Sequence, residues 1–228
     1  MKNWAKASKC LEILVNLQTV NHPPTVAKGI LMVGRHPFNN SPRVARRGMG
    51  KKRENMYMLD KFRYCPVCGS KHFEESTAKS KRCRNCGFEY FLNASSATAA
   101  FILNARGELL VERRKEEPGR GTLDLPGGFT EIGETSEEGV VREVMEETNL
   151  KVTAARYLFS LPNVYRYSGI ELPTLDMFYE CDVEDESVLA ANDDAAECMW
   201  IKPEDIHTEQ FGLRSVRWGL VKYLERQK

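Results

Sequence analysis

Gly128–Leu150, GFTEIGETSEEGVVREVMEETNL, is the stretch on which the reading of this chain turns. Thr135 stands where a helix N-cap belongs and Glu138 follows three residues on, so a capping box is expected to open a helix here. At about 100° per residue, Val140, Val141, Val144 and Met145 fall on one apolar arc, and Glu143, Glu146 and Glu147 on a separate arc. Like charges three and four positions apart repel, and they lie near the helix C-terminus, where the dipole already disfavours anions. A hard divalent cation, Mg²⁺ or Mn²⁺, would turn that repulsion into coordination. Gly139, one turn before Glu143 on the same side, leaves room for a ligand to approach. Taken alone, three Glu residues on a helix are more often an ordinary solvated face.

They are not alone. The same stretch resembles the Nudix box, G-x5-E-x7-R-E-U-x-E-E-x-G-U with U aliphatic: Gly128, Glu134, Arg142, Glu143, Val144, Glu146, Glu147 and Leu150 all fall in register. The one departure is Asn149 where the family has Gly. That position follows the helix and requires a left-handed backbone, for which Asn is the best residue after Gly. The resemblance implies an α+β Nudix fold, a mixed β-sheet sandwiched between α-helices with the box as a loop–helix–loop. It also implies hydrolysis of a nucleoside diphosphate linked to another moiety. Metal ions would sit on Glu143 and Glu147, with Glu146 and a backbone carbonyl near Gly127 and Gly128 as further ligands, and would neutralise the pyrophosphate and polarise water. Arg142 is expected to orient the carboxylates and Glu134 to pair with it. Glu146 is the first choice for general base, with Glu197 or Asp193 as alternatives.

Upstream, Cys65-Pro-Val-Cys68-Gly69 and Cys83-Arg-Asn-Cys86-Gly87 form two Cys-x-x-Cys-Gly units. Two thiolates three residues apart around a tight turn can share one tetrahedral Zn²⁺, and the Gly permits a left-handed residue beside them. Each knuckle is expected at the tip of a short hairpin, giving a zinc ribbon. Two disulfides or a redox pair are the alternative. Cys10, Cys181 and Cys198 are left over and no secretory signal is visible, which favours a reducing compartment and zinc. Four thiolates leave no open position for substrate, so the zinc is read as structural.

A zinc ribbon directly before a Nudix domain is similar to the NADH pyrophosphatase subgroup, in which a second signature, S-Q-P-W-P-F-P-x-S, follows the box. The aligned stretch here runs from Ser160 to Ser168, SLPNVYRYS. Ser160, Pro162 and Ser168 match and Tyr165 stands for Phe, while Trp and two prolines are missing. The architecture is kept and the specificity signature is degenerate. Tyr165 and Tyr167 are candidates to stack on a base and Arg166 to meet a phosphate; Glu197 joins them as a candidate substrate contact. The competing reading makes this stretch one strand of an antiparallel pair.

The rest supplies the fold around these motifs. Ser95–Asn104 reads as a strand, Arg106-Gly107 as a turn, and Leu109–Glu112 as the returning strand. Thr174–Cys181 and Glu197–Ile201 read as strands, and Pro203 opens a short helix. Leu213, Val216, Leu220, Val221 and Leu224 fall at helical spacing, so Gly212–Arg226 reads as an amphipathic helix. His72 and His207 have no motif context and read as surface residues.

The formal charge of +1 over 228 residues conceals two unlike pieces. Residues 1–55 hold eleven Lys and Arg against Glu12 and Glu54, and the remainder is acidic. With four prolines and short apolar runs, 1–55 reads as a poorly ordered basic leader, an organelle transit peptide or a start placed too far upstream. The expected organisation is thus a leader at 1–55, a zinc ribbon at 60–92 and a Nudix domain at 94–228. No stretch approaches the roughly 20 apolar residues of a membrane span. The expected partner is a nucleotide, in the cytoplasm, or in an organelle if the leader targets one. Nucleic acid could be touched through the leader or the ribbon, including a dinucleotide cap on RNA, and the resemblance leaves room for a homodimer. The rival from another class is a non-catalytic nucleotide-sensing or RNA-binding protein.

Overall fold

The computed structural model describes residues 56–193 and 195–226. The basic leader, 1–55, and Asp194 lie outside them. Strand β5 (Ser95–Phe101) organises the fold through the two-residue period of its side chains. Ala99 and Phe101 enter one hydrophobic cluster, while Ala100 and the following Ile102 enter another. Phe178 and Tyr179 of β9 (Ile170–Val183) divide in the same way. Each cluster is closed by a helix. Val140 and Val144 of α2 (Ser136–Thr148) cover the Ala100 side, and Val216, Leu220 and Tyr223 of α3 (Arg214–Arg226) cover the Phe101 side. Fully burying a valine contributes about 1.5–3 kcal/mol. The rings of Phe101 and Tyr223 stack 4.0 Å apart, 4° from parallel.

The sheet between the helices is mixed. β9 runs parallel to β5 and antiparallel to β8 (Val152–Tyr167), and β1 (Met56–Tyr57) pairs beside the start of β9. A short helix, α1 (Met58–Lys61), leads from β1 toward the ribbon. The α+β Nudix-type layering expected from the sequence is what is seen. The stretch Ser160–Ser168 falls largely in β8, with Tyr165 opposite Leu172 and Arg166 opposite Glu171.

Leu109–Glu112 does form a strand, β6 (Leu109–Arg114), but it does not return along β5. It pairs with β10 (Ala195–Ile201) and β7 (Leu123–Asp124) in a second sheet, touching the end of the β5 segment only at Leu103–Leu109. The ladder positions of β5 are taken by β9, so the two neighbours in sequence part company. Pro203–Asp205 is a 3-10 turn as the proline suggested, and the C-terminal helix starts at Arg214 rather than Gly212.

Strands β2 (Phe73–Thr77), β3 (Ser80–Cys83) and β4 (Glu89–Phe91) form a third, antiparallel sheet. The second knuckle lies at the β3–β4 turn, as expected. The first departs from expectation: it is a turn before β2 and not a hairpin tip, because only α1 and a loop precede it. Cys65, Phe73 and Cys83 make a small core of their own. Among the described residues no helix is long and apolar enough to cross a membrane.

Candidate active site and metal centres

Thr135 caps α2 as the sequence indicated: its hydroxyl accepts the Glu138 N–H and its own N–H is accepted by Glu138 Oε2 at 2.8 Å. At the other end Asn149 adopts φ 60°, and its N–H donates to the Met145 carbonyl. The helix is turned slightly from the expected arc. Val140 and Val144 are fully buried, but Val141 and Met145 are more than a third exposed, and Glu147 and Thr148 take the inward positions. Glu147 therefore points into the protein, Glu143 is largely covered, and Glu146 is the one of the three at the surface.

Leu125-Pro126-Gly127-Gly128 runs against β5, where Ala100 N–H donates to the Pro126 carbonyl and Thr98 N–H to the Gly128 carbonyl, both at 2.8 Å. Gly127 has φ +146°, and a Cβ there would lie 2.2 Å from the Thr98 carbonyl oxygen. That close approach aims the Gly127 N–H at Glu147 Oε2, 2.8 Å away. Gly128 leaves space of a different kind: its Cβ would meet Glu143 Oε1 at 2.5 Å, so the missing side chain makes room for that carboxylate. Gly139, expected to admit a ligand, instead admits Glu134, whose Oε2 would be 3.1 Å from a Cβ at this position.

Arg142 gathers the box. Its Nη1 lies 3.0 Å from Glu143 Oε1 and 2.9 Å from Glu146 Oε2, Nη2 donates to the Phe129 carbonyl, and Glu134 takes Nε and Nη2 together. Hydrogen bonds from Arg142 hold the Glu134 carboxyl below its usual range, and burial raises Glu143. Burial also raises Glu147 and its neighbour Glu112; the charge of Glu112 raises Glu147 further, and that of Asp124 raises Glu112.

These groups line a cavity of about 320 Å³ that also takes in Glu112, Arg114, Asp124, Phe129, Asn163, Tyr165, Asp176 and Asp193. Tyr165 meets Phe129 edge-on at 5.3 Å. Arg114 bridges from Asp124, at 2.5 Å, toward the Tyr165 hydroxyl, at 3.5 Å. At the base Asp176 accepts hydrogen bonds from Asn163, Thr174 and Ser215, tying β8, β9 and α3 together. Of the other sequence candidates, Arg166 is exposed and faces Glu171 at 3.5 Å, Tyr167 is exposed at the end of β8, and Glu197 pairs with Arg113. None of the three lines the cavity. His72 and His207 are exposed, as read.

The sequence reading missed Glu112, Asp124 and Asp176. Glu112 ends an apolar run and Asp124 precedes Leu125-Pro126, which gives no spacing signal. They meet because β6 and β7 pair with Glu112 opposite Asp124.

In the ribbon, the four sulfurs of Cys65, Cys68, Cys83 and Cys86 lie within 4.8 Å of one another, and none is in a disulfide. Cys65–Cys86 and Cys68–Cys83 are each 3.6 Å apart, close to the edge, about 3.8 Å, of a tetrahedron with 2.3 Å zinc–sulfur bonds. Gly69 and Gly87 have φ +70° and +78°, and their N–H groups close the turns onto Cys65 and Cys83 carbonyls. Hydrogen bonds, the Ser70 N–H foremost, draw the exposed Cys68 thiol down to about 6. The donor set fits Zn²⁺. Among the described residues this is the one group of three or more such side chains that converges so closely.

A family model described as NUDIX domain matches residues 94–223. An NAD-capped RNA hydrolase NudC from Citrobacter koseri is 33% identical over 115 residues, 50% of this chain and 43% of the relative. The same-titled protein of Escherichia coli is 32% identical over the same shares. The chain thus spans less than half the length of the curated relatives it matches. The crystal structure of a NUDIX hydrolase from Nitrosomonas europaea superposes with a TM-score of 0.56 at 22% identity, covering 72% of this chain and 92% of that one, which shows the shared fold.

Proposed function

The chain belongs to the NUDIX family, and from that premise we propose that it is a divalent-metal-dependent pyrophosphohydrolase. Its substrate is a nucleoside diphosphate linked to another moiety: NADH, ADP-ribose or a related dinucleotide or ADP-sugar. The observation that carries the reading is the Arg142 clamp, which sets Glu143 and Glu146 on the wall of the cavity that Glu147 enters. The printed names of the curated relatives, NAD-capped RNA hydrolases, support a nicotinamide dinucleotide moiety in the substrate.

Glu143, Glu147 and Glu146 would hold Mg²⁺ or Mn²⁺ together with the Gly128 carbonyl, which accepts the Thr98 N–H at 2.8 Å and the Thr98 hydroxyl only at 3.5 Å. When bound, the metal supplies charge neutralisation of the pyrophosphate and activation of water. The protein's own groups do the rest. Glu146, the most exposed of the three at 46%, takes the proton of the attacking water. As the water oxygen bonds to phosphorus, one anhydride P–O bond breaks and two phosphate monoesters leave. Arg142 and Glu134 hold the carboxylates in place, and Tyr165 with Phe129 offers an aromatic wall to the base. Residues 60–92 form a structural zinc ribbon in this reading, and 94–228 the catalytic domain.

The test is a panel of NADH, NAD⁺, ADP-ribose, dinucleoside polyphosphates, nucleoside triphosphates and NAD-capped RNA with Mg²⁺ or Mn²⁺. Turnover of a dinucleotide or ADP-sugar that falls steeply in Glu146→Gln supports the proposal. Equal, negligible turnover by wild type and variant on every substrate removes it.

A further inference from the structure

One carboxylate in the cavity belongs to no motif. Glu112 is 2% exposed, lines the cavity, and its Oε2 is buried without a hydrogen-bond partner among the described residues. An orphaned acceptor of this kind is costly, because water has been removed and nothing put in its place.

Its surroundings make the deficit sharper. Asp124 sits directly across the β6–β7 ladder, where like charges destabilise the pair, and Glu147 reaches the same space from α2. On the β10 side the residue opposite is Cys198, which brings no cation. Two arginines line the cavity, and both are committed. Arg114 serves Asp124 and the Pro118 carbonyl; Arg142 serves Glu134, Glu143, Glu146 and the Phe129 carbonyl. Glu147 accepts the Gly127 N–H, and its carboxyl comes within side-chain hydrogen-bond reach of that of Glu112. Two buried acids from different elements therefore share a space in which the nearest cation, Arg114, acts on Glu112 only from a distance, its hydrogen bonds being spent on Asp124 and the Pro118 carbonyl.

We propose that Glu112 is a ligand of a divalent cation that it shares with Glu147, extending the donor set from the box helix onto strand β6. This rests on the assignment of Glu147 as a metal ligand under Proposed function. Two carboxylates completed by water suit Mg²⁺ or Mn²⁺, which keep several waters and need only one or two protein oxygens. A cation in this position links α2 to β6, so its binding stiffens the floor of the cavity as well as loading it.

Mn²⁺ titration of the full chain, followed by electron paramagnetic resonance of the free ion, separates the possibilities. Wild type, Glu112→Gln, Glu147→Gln and the surface control Glu184→Gln are compared, and the unfolding midpoint of each is measured with and without Mn²⁺. Glu112→Gln is expected to weaken Mn²⁺ binding about 10–100-fold and to lose most of the Mn²⁺-induced rise in midpoint, while Glu184→Gln matches wild type. Wild-type affinity in Glu112→Gln with weakened binding in Glu147→Gln overturns the role of Glu112 and leaves that of Glu147 standing. No Mn²⁺ binding by wild type overturns both. If Glu112→Gln does not fold, Glu112→Asp decides: it keeps the charge but withdraws it by one methylene, so weaker binding supports the proposal and unchanged affinity overturns it.

Discussion

The guanidinium of Arg142 holds both carboxylate oxygens of Glu134, Nε to Oε1 at 2.9 Å and Nη2 to Oε2 at 3.0 Å, while its remaining nitrogen serves Glu143 and Glu146. A planar fork can do this and a point charge cannot. Glu134 also accepts the Glu131 N–H at 2.8 Å, so the loop before α2 is fixed through the same side chain. Arg142→Lys and Glu134→Gln are both expected to lower kcat by about 10–100-fold, the usual cost of losing a residue that orients ligands. KM should change less, since neither group is placed on the substrate. Steady-state kinetics on the best substrate of the panel check this, and a change confined to KM would move Arg142 into substrate binding.

The ribbon should bind one zinc per chain. Metal analysis of the purified protein is expected to show it, and Cys65→Ser or Cys83→Ser to abolish it, because these two sulfurs are also buried in the small core with Phe73. Treatment with a strong chelator should raise amide exchange across Phe73–Phe91, since metal binding at such sites is folding energy. Hydrolysis should persist longer than the ribbon does, the thiols having no open position for substrate. A chain that retains its ribbon protection after complete zinc loss would contradict this.

Stability without divalent metal should fall as pH rises. Burial, reinforced by the charge of Asp124, pushes Glu112 up to about 8 from its ordinary 4.5. A raised carboxyl keeps its proton in the folded state after the unfolded chain has released it, so its contribution is lost as pH climbs through the folded value. Capping and ion-paired carboxyls such as Glu138 and Asp182 are lowered and act in the opposite sense, at more acidic pH. The expected signature is thus a difference. Between about pH 5 and 8 the wild-type unfolding midpoint in EDTA should drop relative to that of Glu112→Gln, and Mg²⁺ should close the gap. Parallel profiles for the two proteins would show that Glu112 is not charged by unfolding.

What could be read in the sequence were features whose partners lie within a few residues of each other. The capping box, the left-handed Asn149, the two Cys-x-x-Cys-Gly turns and the Arg142–Glu134 pair are all of this kind, and each stands where its spacing placed it. What could not be read depends on strand register. Glu112 faces Asp124 only because β6 left β5 for β7 and β10, and Asp176 acquires its three donors only because β8, β9 and α3 meet there. Side-chain alternation gives the faces of a strand but not its neighbour. The rotation of α2 that buries Glu147 and leaves Met145 half-exposed has the same origin: the Gly127 N–H, supplied by a distant turn, holds the carboxylate inward.

Gly127 and Gly128 are adjacent, yet alanine should fail at them for different reasons. At Gly127 the backbone is at φ +146° and the new Cβ would lie 2.2 Å from the Thr98 carbonyl oxygen and 2.8 Å from Ala99 Cα. Both obstacles are backbone of β5, hydrogen-bonded into the central sheet, and neither can yield cheaply. Gly127→Ala is therefore expected to cost more than about 3 kcal/mol, combining strain with a clash that has no rotamer escape. At Gly128 the obstacle is the carboxylate of Glu143, the end of a flexible side chain, at 2.5 Å. Gly128→Ala should fold with a midpoint near wild type but push Glu143 off its position against Arg142. A displacement of about 1 Å at a reacting centre is worth about 100-fold in rate, and Mn²⁺ affinity should fall with it. Thermal unfolding and kinetics on the two variants side by side check the pair. Normal activity in Gly128→Ala would show that Glu143 does not work from the position Gly128 opens for it.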